Sequence, residues 1–129
     1  MNGYLLDSHT FLWWLAEPDN LGKRAAKLLS KGDARLSLSI ASIWETALKM
    51  SVGKLKLEDN WLEQIEQQCI ARSITMLPIQ PRHCAALSKL PFHHRDPFDR
   101  MLASQASNEG LAIISADRIF DRYGIERVW

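Results

Sequence analysis

The sequence predicts an α/β protein, a mainly parallel central sheet sandwiched between helix layers. Two observations carry this. Short apolar runs at residues 3–6, 35–38, 74–79 and 111–114 recur between longer segments whose apolar residues follow a helical period. Parallel strands need long crossover connections, and helices supply them. The run LAII at 111–114 lacks polar alternation, as expected of a strand covered on both faces.

Along the chain, Gly3–Leu6 reads as a strand ending at Asp7-Ser8, after which Phe11, Leu12, Trp14 and Leu15 recur at helical spacing. Glu17-Pro18-Asp19-Asn20 breaks that helix. Leu21, Ala25, Leu28 and Leu29 form the apolar face of a second, ending near Lys31-Gly32. Arg35–Leu38 is a short strand, and Ser39 is placed to cap a helix whose apolar face is Ile40, Ile43, Trp44, Ala47 and Leu48, closed near Gly53. Lys54–Leu57 reads as a brief extended piece. Asn60 is the expected cap of a helix carrying Leu62, Ile65 and Cys69. Ile74–Ile79 is a buried strand broken by Pro78, and Pro81–Leu90 is helical. Asp96-Pro97 opens the next helix and Gly110 ends it. Glu126–Trp129 reads as a last edge strand.

At 129 residues, 47% hydrophobic and 24% charged, the composition is that of one globular domain spanning 1–129. A net charge of +1 argues against a broad basic surface, so any nucleic-acid contact is local. Cys69 and Cys84 have no ligand spacing and no disulfide framework, which fits a reducing cytoplasm. MNGYLLDSHT has no basic n-region, and FLWWLA is too short to span a bilayer.

Carboxylates gather where such a sheet holds its ligands, beyond the carboxyl ends of the strands. Asp7 ends the first strand and Asp117 follows LAIIS. Taken singly, each is an ordinary helix-start acid. Glu45 lies beside Trp44 and four residues before Lys49, where a solvent-face ion pair is the plain alternative. In HHRDPFDRML, residues 93–102, Asp96 precedes Pro97 and suits an N-cap, which leaves Asp99 in the first turn. Leu102, Ala103 and Ala106 lie one and two turns beyond, so Asp99 borders the buried face. If Asp7, Glu45, Asp99 and Asp117 converge, like charges about 4 Å apart repel by roughly 4 kcal/mol per pair at an effective dielectric near 20. Such a cluster needs a cation or protons. Hard oxygen ligands without cysteine or consistent histidine spacing select Mg²⁺ or Mn²⁺. GxGxxG, GxxxxGK[ST] and GxSxG are absent. An acid-only site without a phosphate loop suggests metal-assisted attack of water on a phosphodiester.

LLDSHTFLWWL, SIASIWETALKMSVGKL, HHRDPFDRMLASQA and LAIISADRIFDRYGI, in this order and spacing, resemble a PIN domain, specifically the VapC-like ribonuclease toxins of VapBC-type toxin–antitoxin modules. Residue by residue, Asp7 resembles the family's first acid, Glu45 its helix glutamate, Asp99 its third acid and Asp117 its fourth. Ser8 and Ser115 look like the hydroxyl residues beside the first and fourth acids. The resemblance implies a PIN-like three-layer sandwich. It further implies an Mg²⁺- or Mn²⁺-dependent endoribonuclease that cuts structured RNA, often tRNA or rRNA, and is silenced by a cognate VapB-like antitoxin. Homodimers are usual in the family. Asp96 stays open between cap, third acid and ligand to a second metal, with Asp99 preferred as the ligand.

Arg95, Arg100, Arg118 and His94 are candidate RNA contacts, against the plainer reading that such arginines, with Arg122, neutralise nearby aspartates. His93 and His94 form a loop pair with a chance of touching metal or phosphate, and His9 is expected on a helix surface. Asp121 is expected to be a surface charge. Trp13, Trp14, Trp44 and Trp61 are core by periodicity, except that Trp13 and Trp14 cannot both point inward, so one is an interface candidate. Three rivals are weighed. A flap-type DNA nuclease lacks room for its extra elements. A receiver-like Mg²⁺-binding signalling module would want adjacent acids after the first strand and a lysine ending the last inner strand. A catalytically inactive PIN scaffold acting through protein contacts would not need all four acids.

Overall fold

The computed structural model describes residues 3–129. Five strands, β1 (Tyr4–Leu6), β2 (Leu36–Ser39), β3 (Ile74–Leu77), β4 (Ala112–Ile114) and β5 (Arg127–Val128), form one all-parallel sheet in the order β3-β2-β1-β4-β5. The helices are α1 (Ser8–Ala16), α2 (Lys23–Ser30), α3 (Ile40–Ser51), α4 (Trp61–Ala71), α5 (Pro81–Ser88) and α6 (Pro97–Glu109), with 3₁₀ turns at Pro18–Asn20 and Arg118–Tyr123.

Strand alternation sends Leu6, Leu36, Leu38 and Ile114 to one face, where they pack with Phe11, Ala25, Leu29 and Ile65 from α1, α2 and α4. Leu5 and Ile113 point the other way, onto Ala41 of α3 and Leu102, Ala103 and Ala106 of α6. These two cores make the three-layer sandwich that the sequence predicts. Gly110 adopts φ 67° and stops α6 in the left-handed cap conformation, where its lack of a Cβ removes the steric cost.

Three local expectations change. Asn60 stands at the N-cap of α4 as expected, but its side chain makes no cap bond; its oxygen instead accepts from Gln64 Nε2 at 2.9 Å. Lys54–Leu57 forms no strand. On α3 part of the apolar period faces outward: Ile40, Trp44 and Leu48 are exposed, Trp44 by 58%, whereas Ile43 packs half-buried against the core and Ala41, Ser42, Glu45 and Thr46 are buried. The fully buried residues of α3 are therefore small or polar, and Trp44 rests edge-on against Phe98 at the surface, 4.9 Å between centroids.

β5 closes the sheet edge against α2. Arg24 N–H donates to Trp129 O at 3.0 Å, and a Cβ on Gly22 would come within 2.5 Å of the Trp129 carbonyl carbon. Glycine is required there by close approach, since the Trp129 backbone occupies the space a side chain would need.

Candidate active site

β2 lies on one side of β1 and β4 on the other, so the chain's crossovers diverge at β1 and leave a crevice at its carboxyl end. Asp7 sits at that point, only 7% exposed, with its N–H donating to Ile114 O across the β1–β4 pair at 3.1 Å. Ser115, fully buried at the end of β4, donates its hydroxyl to Asp7 Oδ2 at 2.6 Å and accepts the Asp117 N–H at 3.0 Å. One hydroxyl thereby fixes two acids. Asp117 Oδ1 in turn accepts the Ile119 N–H at 3.0 Å and caps the 3₁₀ turn.

Asp96 caps α6: its Oδ1 accepts the N–H of Phe98 at 2.8 Å and of Asp99 at 3.1 Å. With Pro97 fixing the entry, Asp99, the third residue of α6, faces the crevice near Asp7 and Asp117. His94 lies over this pair, its Nε2 at 2.9 Å from Asp99 Oδ2 and 3.8 Å from Asp117 Oδ2. Its Nδ1 faces the Asp96 backbone N–H at 3.3 Å. A backbone N–H can only donate, so Nδ1 presents its lone pair and the ring proton is on Nε2, aimed at Asp99. In this arrangement His94 donates to Asp99, and its Nε2 also lies close to Asp117.

Glu45 comes from the buried face of α3, whose first turn is capped by Ser39 Oγ accepting the Ala41 N–H at 3.0 Å. Glu45 is buried, its charge acts on Asp99, and it also pairs with Lys49 at 3.3 Å, so the pair is not on a solvent face. Ser8 follows Asp7 and donates to Ser42 Oγ at 2.7 Å, which ties the start of α1 to the turn of α3 before Glu45. Sequence reasoning passed over Ser42, although its place three residues before Glu45, on the same helix face, was a usable signal.

Burial raises Asp7 above the ordinary carboxylate range, against the lowering effect of Ser115, His9 and the Ser8 N–H. Asp99 is pushed up to about 7, first by burial and then by the charges of Asp7 and Asp96, with Glu45 adding to the rise and His94 opposing it. Carboxylates that crowd until one retains its proton near neutrality are the condition a cation relieves. One ring nitrogen of His94 and one oxygen each of Asp99 and Asp117 lie within 4.8 Å of one another, on the scale of the roughly 4 Å that separates donors on opposite sides of one Mg²⁺. The four acids offer oxygen donors only, with the His94 nitrogen beside them. Asp7, Glu45, Asp99 and Asp117 thus fit a hard divalent ion such as Mg²⁺ or Mn²⁺.

Of the expected RNA contacts, Arg95 and Arg118 are exposed and His94 faces the acids. Arg100 does not serve as a clamp. It is buried, donating to Pro91 O at 3.0 Å and Leu90 O at 3.4 Å while stacking over Phe92, because one helical step from Asp99 turns it toward the 90–92 loop. Asp121 pairs with Arg127 at 2.9 Å and stands apart from the acid cluster. His93 packs against Tyr123. His9 and Trp13, exposed and half-buried, line the acid recess of about 330 Å³. Trp14 instead packs against the α1–α2–α4 core beneath Arg72, so Trp13 is the outward member of the pair.

The PIN domain family model matches residues 4–126 of the chain. Ribonuclease VapC22 of Mycobacterium tuberculosis is 30% identical over 122 residues, covering 92% of this chain and 89% of that protein. Among solved structures, DNA-bound VapBC from Salmonella typhimurium matches with TM-score 0.73 at 17% identity, over 98% of this chain and 97% of that one. FitAcB from Neisseria gonorrhoeae matches with TM-score 0.69 at 19% identity, over 96% and 95% of the two chains. Such low identities speak for the fold alone. The family match spans nearly the whole chain and takes in every acid at the β1–β4 crevice: this chain belongs to the PIN domain family.

Proposed function

We propose that the chain is a divalent-metal-dependent endoribonuclease toxin of the VapC type, acting on structured RNA such as tRNA or rRNA. The observation that carries this reading is Asp99. Its carboxyl is held near neutrality by burial and by Asp7, Asp96 and Glu45, at the crevice where this fold class holds ligands. The name of the Mycobacterium tuberculosis relative, a ribonuclease, supports RNA as the substrate. Asp7, Asp99 and Asp117, with Glu45 as the fourth acid, would hold Mg²⁺ or Mn²⁺. When bound, such an ion supplies the charge that generates hydroxide from water and stabilises the leaving oxygen. Ser115 orients Asp7, His94 orients Asp99, Asp96 aims the helix that carries it, and Ser8 fixes α1 against α3.

The partners follow from two surfaces. A recess of about 570 Å³ between α1 and α4, walled by Leu12, Trp13, Leu57 and Trp61, adjoins the acid recess through His9 and Trp13. A segment of a VapB-like antitoxin seated there would lie beside the acids, and the VapBC complexes among the structural neighbours support that partner. The outward row Ile40, Trp44 and Leu48 on α3, continued by Val52 just past its end, supports a homodimer. No helix among the described residues is long and apolar enough to cross a membrane, and we place the protein in the cytoplasm with its RNA.

Induced expression in bacteria tests the reading. Growth should arrest with cleavage of a discrete cellular RNA, and Asp7→Asn should remove both effects in a protein that still folds. Arrest and cleavage undiminished in the Asp7→Asn protein would contradict it.

A further inference from the structure

Beside the acid recess lies a second of about 400 Å³, lined by Arg24, Ala116, Arg118, Arg127 and Trp129. Ala116 lines both recesses. Trp13, from the acid side, packs on Trp129 with ring centroids 5.8 Å apart. A surface path therefore leads from Asp7 and Asp117 across Ala116 and the tryptophan pair to the arginines.

Three guanidiniums in one recess are notable in a chain whose net charge is only +1. The plain explanation, neutralisation of nearby aspartates, accounts for one of them. Arg127 is committed to Asp121 and to Ser115 O, which holds it rigid and joins the wall of the recess to the hydroxyl that orients Asp7. Arg24 and Arg118 are exposed and pair with no carboxylate among the described residues. Their position is also built. The Arg24 N–H holds Trp129 O, and Gly22 admits the Trp129 backbone where any side chain would exclude it.

We propose that this recess is a subsite for the RNA strand flanking the cut, with Arg24 and Arg118 binding backbone phosphate and Trp129 offering a ring face to a base. It rests on the nuclease reading above. Guanidinium groups match phosphate oxygens in paired hydrogen bonds, and aromatic faces stack bases with little regard to sequence. A strand crossing from a carboxylate-held metal to free arginines meets favourable charge at both ends. This recess adds strand affinity and leaves base identity unread.

The test uses a short fluorescein-labelled single-stranded oligoribonucleotide, read by anisotropy in Ca²⁺ with probe integrity checked on a gel. Arg24→Ala/Arg118→Ala should weaken binding about tenfold or more. It should also flatten the slope of log affinity against log salt by about 1.4, at about 0.7 per phosphate contact on a single strand. Mn²⁺ binding followed by electron paramagnetic resonance should be unchanged. Lys27→Ala/Lys31→Ala, which removes two exposed cations of the same region outside the recess, should retain most affinity. Wild-type affinity in the arginine variant, or an equal loss in the lysine variant, overturns the subsite while intact cleavage leaves the nuclease reading standing. A wild-type protein that neither binds the probe nor cleaves RNA takes both down.

Discussion

Ser115 Oγ donates to Asp7 Oδ2 at 2.6 Å, across the two central strands, and the same oxygen accepts the Asp117 N–H. This bond sets which oxygen of Asp7 is left for a ligand, and it is made by a side chain with no exposure of its own. Ser115→Ala leaves a buried carboxylate oxygen and the Asp117 N–H without their partner. The expected loss of stability is about 1–3 kcal/mol, read from denaturant curves. If Asp7 holds metal as proposed, removing its support is also expected to weaken Mn²⁺ binding by about 10- to 100-fold, measurable by calorimetry.

His94 offers a sharper separation of roles. With its proton on Nε2 it donates to Asp99, a position from which it would orient that acid. His94→Gln places an amide N–H near the same point and is expected to keep most Mn²⁺ affinity and RNA cleavage. His94→Leu is expected to lose about tenfold in metal affinity, as for other residues that orient ligands. Mn²⁺-loaded protein should show no directly coordinated nitrogen in pulsed electron paramagnetic resonance; a strong nitrogen coupling lost in His94→Gln would make His94 a ligand.

pH dependence follows from Asp99. Its carboxyl lies at about 7 in the fold against an ordinary 3.8, so the folded chain holds this proton more tightly than the unfolded chain. In metal-free protein this contribution to stability is present at low pH and is lost as pH rises through that window. Asp7, raised by burial, acts in the same direction. Thermal melts in EDTA should therefore fall as pH rises from about 4 to about 7, and Asp99→Asn should flatten that fall. Stabilisation by added Mg²⁺ should grow over the same interval, since the ion competes with the proton.

Glu109 behaves in the opposite sense, away from the acids. Hydrogen bonds from His83 and Arg82 hold its carboxyl below the usual range. Its contribution is present above the ordinary 4.5 and disappears as pH falls through the lowered folded value. Glu109→Gln is expected to melt below wild type at neutral pH and to converge with it in acid, without change in metal affinity.

The exposed row on α3 makes a solution prediction. Wild type is expected to sediment as a dimer, and Trp44→Lys/Leu48→Asp, at positions 58% and 45% exposed, as a folded monomer. Sedimentation of both proteins as dimers would assign the self-contact to another surface.

What could be read from the sequence was local. A strand ending in Asp7, the Asp96-Pro97 cap that points Asp99 inward, and Asp117 after LAIIS all reside in a few adjacent residues, and the structure places them together as expected. The orientation of α3 was not legible because hydrophobic period marks a stripe without saying what covers it. Here Ser42, Glu45 and Thr46 turn inward and Trp44 outward. Arg100 was misread for a related reason: neighbours in sequence on a helix point to different sides, and this one meets loop carbonyls. Gly22 and Trp129, and with them the basic recess, depend on an approach between distant segments that leaves no periodic trace.

The most direct measurement is cleavage of purified RNA by wild type and by Asp99→Asn across a titration of Mg²⁺ and Mn²⁺, with circular dichroism to show that both are folded. The carboxylate-held metal requires cleavage that rises with added ion, stops in excess EDTA and is lost in Asp99→Asn. Cleavage that persists in EDTA, or at full rate in the folded Asp99→Asn protein, would contradict it.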